Sequence, residues 1–173
     1  NHNVTFIDLY FLCCKAAYGG AVFLYSSSDQ SNNSIIRCEF IKNEAFSKKS
    51  VNNEFNFLYG GSALFLMTKN TDILNCSFDH NRGSSAVKMW NLFNEDKLSL
   101  LDNKIQHSIS LIGCEFKIDE NSKSSIVYID ENDDDKNKLE ITNCNFKGKL
   151  KDGSHYINGL LKEISENSSS TEK

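Results

Sequence analysis

Apolar residues in this chain recur at every second position over short runs, and the runs come in two kinds that follow one another along the sequence. One kind reads SIIRCEFIKN (34–43), DILNCSFDHN (72–81), SLIGCEFKID (110–119) and EITNCNFKGK (140–149), so that Leu74, Cys76 and Phe78, for example, fall on one face of an extended strand. The other kind reads YGGAVFLY (18–25), YGGSALFLM (59–67), GSSAVKMW (83–90) and SSIVYID (124–130), with Val22 and Leu24, Leu64 and Leu66, Val87 and Met89, or Val127 and Ile129 on one face. Runs of five or six residues with period two, separated by Asn, Gly, Ser and Asp, predict strands and turns.

The first kind is a repeat. Cys38, Cys76, Cys114 and Cys144 each stand two residues before Phe40, Phe78, Phe116 and Phe146. An earlier copy, DLYFLCC (8–14), puts Leu9 at the cysteine position, Phe11 at the phenylalanine and Cys14 where Asn43 stands. The Cys-to-Cys intervals are 38, 38 and 30 residues; removing insertions at 44–59 and 90–110 leaves roughly 25, 23 and 30. That is the length of one coil of a parallel β-solenoid, in which no coil buries its inner face alone and stacking at about 4.8 Å creates the core. The expected fold is all-β, a parallel β-helix of about five incomplete coils. It forms a single domain over 1–164 with a polar tail at 165–173.

Stacking assigns roles to the repeated residues. Phe11, Phe40, Phe78, Phe116 and Phe146 form an inward aromatic ladder beside a ladder of Leu9, Cys38, Cys76, Cys114 and Cys144. The cysteines are expected as buried free thiols that act as small hydrophobes. Asn43 and Asn81 follow the inward Phe at a sharp bend, where Asn tolerates left-handed geometry and its side chain satisfies turn amides. Gly19-Gly20 and Gly60-Gly61-Ser62 leave room where the chain enters the next strand. INGLLKEI (157–164) reads as a partial coil or a short capping helix.

These motifs carry a resemblance. FIKNEA with YGGSALFL, and FLCCKAAYGGAVFL, resemble the Phe-x-x-Asn-x-Ala and Gly-Gly-Ala-Ile/Leu/Val pairs of chlamydial polymorphic outer membrane protein repeats and related protist proteins. Those belong to the pectin-lyase-like class of right-handed parallel β-helices, and the resemblance covers about residues 4 to 146. It implies a right-handed solenoid and a structural or adhesive role at the cell surface or outside the cell. Alternatives are a cytoskeletal or flagellar component, or a carbohydrate-active enzyme of the same fold. The chain departs from the pattern at Cys14, at Gly83-Ser84-Ser85-Ala86, and at 121–127, where only NSKSSIV remains.

Composition narrows the functions. With 19 basic against 23 acidic residues, a net charge of −4 and no Lys/Arg block, the chain offers no surface for a phosphate backbone, and nucleic acid is not an expected partner. No apolar run approaches the roughly 18 to 20 residues that span a bilayer, the longest patches resembling Tyr10-Phe-Leu-Cys-Cys14. The opening NHNVTF, without Met or a basic stretch, reads as an internal piece of a longer chain.

Candidate chemistry is sparse. The cysteines are too widely spaced for a zinc site, and His2, His80, His107 and His155 do not complete one. The acidic candidates Asp79, Asp119, Glu120 and Glu131-Asn-Asp133-Asp134-Asp135 form no paired-carboxylate set on aligned strand positions, and the acidic run reads as a solvated loop rather than a calcium site. Neither a catalytic residue nor a cofactor is expected. Cys13-Cys14 is the unusual thiol pair, since adjacent strand residues point to opposite faces. The sequons at Asn3, Asn32, Asn75 and Asn167 permit glycosylation, Asn75 falling inside a predicted strand. The surface singled out is the outer row of the second strand, where Phe23, Phe65, Lys88 and Tyr128 point outward, flanked by Tyr25, Met67 and Trp90. Stacked surface aromatics need covering, either by the chain's own loops or by a protein partner or a neighbouring segment of a longer parent chain.

Overall fold

The computed structural model describes residues 3–26, 30–45, 61–83, 85–89, 108–117, 125–129, 138–147 and 157–158, with the backbone alone at 125–129 and 157–158. Strands follow the sequence repeat. The first repeat contributes β1 (Thr5–Ile7), β2 (Tyr10–Leu12), β3 (Lys15–Ala16) and β4 (Val22–Tyr25). The second contributes β5 (Asn32–Ile36), β6 (Glu39–Ile41), β7 (Glu44–Ala45) and β8 (Leu64–Met67). Then come β9 (Asn70–Leu74), β10 (Ser77–Asp79) and β11 (Ser85–Met89), followed by β12 (Ser108–Ile112), β13 (Glu115–Lys117) and β14 (Ser125–Ile129). The last are β15 (Lys138–Thr142), β16 (Asn145–Lys147) and β17 (Ile157–Asn158).

Every pairing between these strands is parallel, and the sheets are built in repeat order. One sheet runs β1-β5-β9-β12-β15, a second β2-β6-β10-β13-β16, a third β4-β8-β11-β14-β17, and β3 with β7 makes a fourth. This repeating, open arrangement is that of a β-solenoid. The β17 strand pairs Ile157 with Val127 and Asn158 with Tyr128, so the first residues of INGLLKEI form a partial coil.

The Cys-x-Phe segment differs from its expected form in one respect. It is two strands on two sheets, broken by a left-handed residue immediately before the cysteine position: Asp8, Arg37, Asn75, Gly113 and Asn143 have φ between 51° and 65°. The break shifts the alternation, so Ile73 and not Leu74 shares the interior with Cys76 and Phe78. A two-strand repeat thereby becomes a three-faced one. Asn75 sits exposed at this turn rather than inside a strand, and its side chain lies where a Cβ on Gly113 would come within 2.3 Å of Asn75 Oδ1.

The core is the set of stacked inner columns. Phe11, Phe40, Phe78, Phe116 and Phe146 lie face to face with centroid spacings of 4.9, 5.0, 4.6 and 5.2 Å and interplanar angles of 10° or less. Beside them Cys38, Cys76, Cys114 and Cys144 are buried free thiols, as the packing reading expects. Leu9 occupies the same column but is 41% exposed, because its repeat is the edge of the stack. Gly19 and Gly61 enter the third sheet with φ of +54° and +64°, and a Cβ on either would lie 2.2 Å from a backbone carbonyl oxygen.

Candidate functional site

The bends between sheets are held by side chains that reach from one repeat to the one before it. Asn43 Oδ1 accepts the Cys14 amide at 2.9 Å while Asn43 Nδ2 donates to the Phe11 carbonyl at 3.1 Å. Asn81 repeats the clasp, its Oδ1 accepting the Asn43 amide at 2.9 Å and its Nδ2 donating to the Phe40 carbonyl at 2.8 Å. The left-handed residue is the one before each Asn, Lys42 at φ 52° and His80 at φ 50°, with Cys13 equivalent at 53°. Thus Asn43 and Asn81 satisfy turn amides as expected, but they do not supply the left-handed geometry. The backbone reverses one residue earlier, which leaves each Asn side chain aimed along the stack.

The thiols act in the same direction. Cys76 Sγ donates to the Ile35 carbonyl, Cys114 Sγ to Ile73 and Cys144 Sγ to Leu111, each at 3.3 Å and each one repeat back. Sulfur hydrogen bonds to Cys144 and Cys76, and then burial, hold the Cys114 proton far above the ordinary thiol range. Burial likewise pushes the Cys38 thiol up. Cys38 and Cys114 are thus held in the neutral form as packing groups, whereas hydrogen bonding with Cys114 lowers Cys144 to about 7 and Cys76 below its ordinary value.

On the outer surface, ion pairs link neighbouring repeats: Asp8 with Arg37 in a two-pronged contact at 2.7 and 2.8 Å, Lys15 with Glu44 at 2.9 Å, and Glu115 with Lys147 at 2.6 Å. The hydrogen bonds from Arg37 lower the Asp8 carboxyl below its usual range, and the one from Lys147 lowers Glu115. Asp79 contacts His80 and lies 3.7 Å from Lys117, and its charge also reaches Glu115 on the neighbouring strand. Among the described residues no group of three or more His, Cys, Asp or Glu is placed to hold a metal ion. No helix among them is long and apolar enough to cross a membrane. Asp119, Glu120 and the run 131–135 lie outside the described residues.

The outer row of the third sheet has the expected register: Phe23 pairs with Phe65, Phe65 with Lys88, and Lys88 with Tyr128. Its exposure does not follow the expectation. Phe23 and Tyr25 are 49% and 56% exposed, whereas Phe65 and Met67 are buried at 1% and 7%. Phe65 is packed by Phe23 at 5.5 Å, by Tyr18 edge-on at 5.9 Å and by the Lys88 ammonium 5.8 Å from its ring centre. Trp90 lies outside the described residues, as does the side chain of Tyr128.

What the row reading missed is where apolar exposure concentrates. All eight exposed large apolar side chains among the described residues lie between Val4 and Tyr25, in the first repeat. Some face the open end, as Leu9 does. Others face outward where later repeats are polar: Tyr10 stands in register with Glu39, and Glu39 in turn with Ser77. Aligning the repeats by outward column rather than by inward motif would have found this. No protein-family model, no curated protein and no solved structure matches this chain.

Proposed function

We propose that this chain is a right-handed parallel β-solenoid of about five incomplete coils that serves as a non-catalytic structural or adhesive scaffold for protein interaction. Right-handedness rests on the strong preference of crossovers between parallel strands of one sheet. The observation that carries the interaction role is the exposure, among the described residues, of the outward-facing Tyr10, Phe23 and Tyr25. The repeated side chains are accounted for by stacking, since Phe, Cys and Asn each satisfy a neighbouring repeat. Resemblance to the repeats of chlamydial polymorphic outer membrane proteins and pectin-lyase-like β-helices supports a cell-surface setting. A second reading, a cytoskeletal or flagellar scaffold in a reducing compartment, is favoured by all six cysteines being free thiols.

Cross-linking from Lys15, which is exposed beside the apolar face, tests the role. Links from Lys15 to a second polypeptide are expected in native fractions, and Phe23→Ser should weaken that association by about 2 kcal/mol while leaving the melting temperature near that of the parent chain. Links confined to the chain itself, or cleavage of polysaccharide by the purified protein, would overturn the reading. The fraction that contains the linked species distinguishes the surface from the cytoskeletal setting.

A further inference from the structure

The buried thiols form a straight row through the interior of the stack. Cys38, Cys76, Cys114 and Cys144 follow one another in register, the Ser77 amide donating to the Cys38 carbonyl, the Glu115 amide to Cys76 and the Asn145 amide to Cys114. Their side chains share one orientation. The Sγ atoms of Cys38, Cys76, Cys114 and Cys144 each approach the carbonyl two residues earlier, at 3.4, 3.4, 3.6 and 3.5 Å. The last three also reach the Ile35, Ile73 and Leu111 carbonyls one repeat back. Matching partners at matching distances mean that the sulfur position repeats with the step between strands.

The ring column two residues away measures that step. Phe40 to Phe78 is 5.0 Å, Phe78 to Phe116 is 4.6 Å and Phe116 to Phe146 is 5.2 Å. A disulfide requires Cβ atoms at about 3.8 Å and sulfurs at about 2.05 Å, so neighbouring thiols at this step are held too far apart to join. Two metal–thiolate bonds, each about 2.3 Å as at zinc, span about 4.6 Å when they lie in line. The shortest step, from Phe78 to Phe116, has that length, and it is also the step from Cys76 to Cys114. Two sulfurs in line suit one kind of ion. Structural zinc takes four donors, and among the described residues no group of three or more His, Cys, Asp or Glu is placed to supply them. Cu(I), a soft ion with a filled d shell, is satisfied by two thiolates opposite one another. Cys76 carries a further mark of such a ligand, since the Cys38 amide donates to its sulfur at 3.4 Å, a contact that favours negative charge there.

We propose that Cys76 and Cys114 form a binding site for one Cu(I) ion, held between two consecutive repeats in linear coordination by the two sulfurs. Binding exchanges the two thiol protons for the cation and changes the oxidation state of neither sulfur nor copper. The single negative charge left on the site faces the Cys38 amide. Both sulfurs are buried, so water is kept from the ion, and the ion ties the third repeat to the fourth from within.

Anaerobic refolding of the 173-residue chain from urea, with Cu(I) as the only metal, tests the site. Cys13→Ser with Cys14→Ser removes the two thiols outside the column beforehand. One Cu(I) per chain should survive gel filtration, X-ray absorption should show two sulfur neighbours in line, and the melting temperature should rise above that of the metal-free chain. Cys76→Ala and Cys114→Ala should each abolish retention. Cys38→Ala and Cys144→Ala, which remove a thiol from the same column, should keep the ion and so control for folding. Zinc offered in the same way should be lost on the column. Copper held by three or more sulfurs, retention undiminished by Cys76→Ala or Cys114→Ala, equal loss from all four variants, retained zinc, or a chain that refolds without taking up copper would each overturn the proposal.

Discussion

At the residue scale, the repeated Cys and Asn are devices for stacking, and both make measurable predictions. Asn81 accepts the Asn43 amide and donates to the Phe40 carbonyl, so Asn81→Ala strands a buried donor and acceptor in the preceding turn. A loss of about 1–3 kcal/mol is expected in urea unfolding, against under about 0.5 kcal/mol for an exposed turn residue such as Lys42. The thiols predict a pH dependence. Burial raises the Cys38 thiol in the fold, so its contribution is fully present below the ordinary thiol pKa of about 8.5 and is lost as pH rises beyond it. That contribution should fall away on the alkaline side, and Cys38→Ala should flatten the alkaline limb of the stability curve relative to the parent chain. Native alkylation followed by mass spectrometry should modify the exposed Cys13 first and reach Cys38, Cys76, Cys114 and Cys144 only on unfolding. Rapid modification of Cys76 in the folded chain would contradict the packing role.

Strands and turns divide by how locally they are specified. The inward columns of Phe and Cys, and the Val22, Leu64 and Val87 column of the third sheet, were legible because side-chain alternation is a local property with a fixed period. The break before each cysteine was not. Arg37, Asn75 and Asn143 adopt φ near 50° at a single position, a choice imposed by the interior that both flanking strands share and only partly encoded by residue type. Phe65 and Met67 depart from the exposure expected of them for a related reason. Alternation places Phe65 outward correctly, but whether an outward side chain is wet depends on groups that arrive from elsewhere in the chain, Tyr18, Phe23 and Lys88 among them. Two substitutions separate these cases. Phe65→Ser should destabilise by about 3 kcal/mol or more and Phe78→Ala by about 3–5 kcal/mol, since both remove a fully buried ring. Phe23→Ser, at a half-exposed site, should stay within about 1 kcal/mol, and equal losses at Phe23 and Phe65 in denaturant titrations would refute the burial distinction.

For the whole molecule, a solenoid distributes stability along one axis, because each repeat touches only its neighbours. Repeats with a neighbour on both sides gain two stacking interfaces, and the first gains one, lacking also the Asn and thiol ties that its successors extend backward. Hydrogen exchange should follow that gradient. Amides of Glu39 and Ser77, which donate to Leu9 and Cys38 across the stack, should differ in protection, the second exceeding the first because it lies one repeat further inward. Those of Asp8 and Cys13 should exchange fastest among the hydrogen-bonded turn amides, although each bonds to the second repeat. Exchange that is uniform from Asp8 to Asn145 would show instead that the chain unfolds as one cooperative block rather than repeat by repeat.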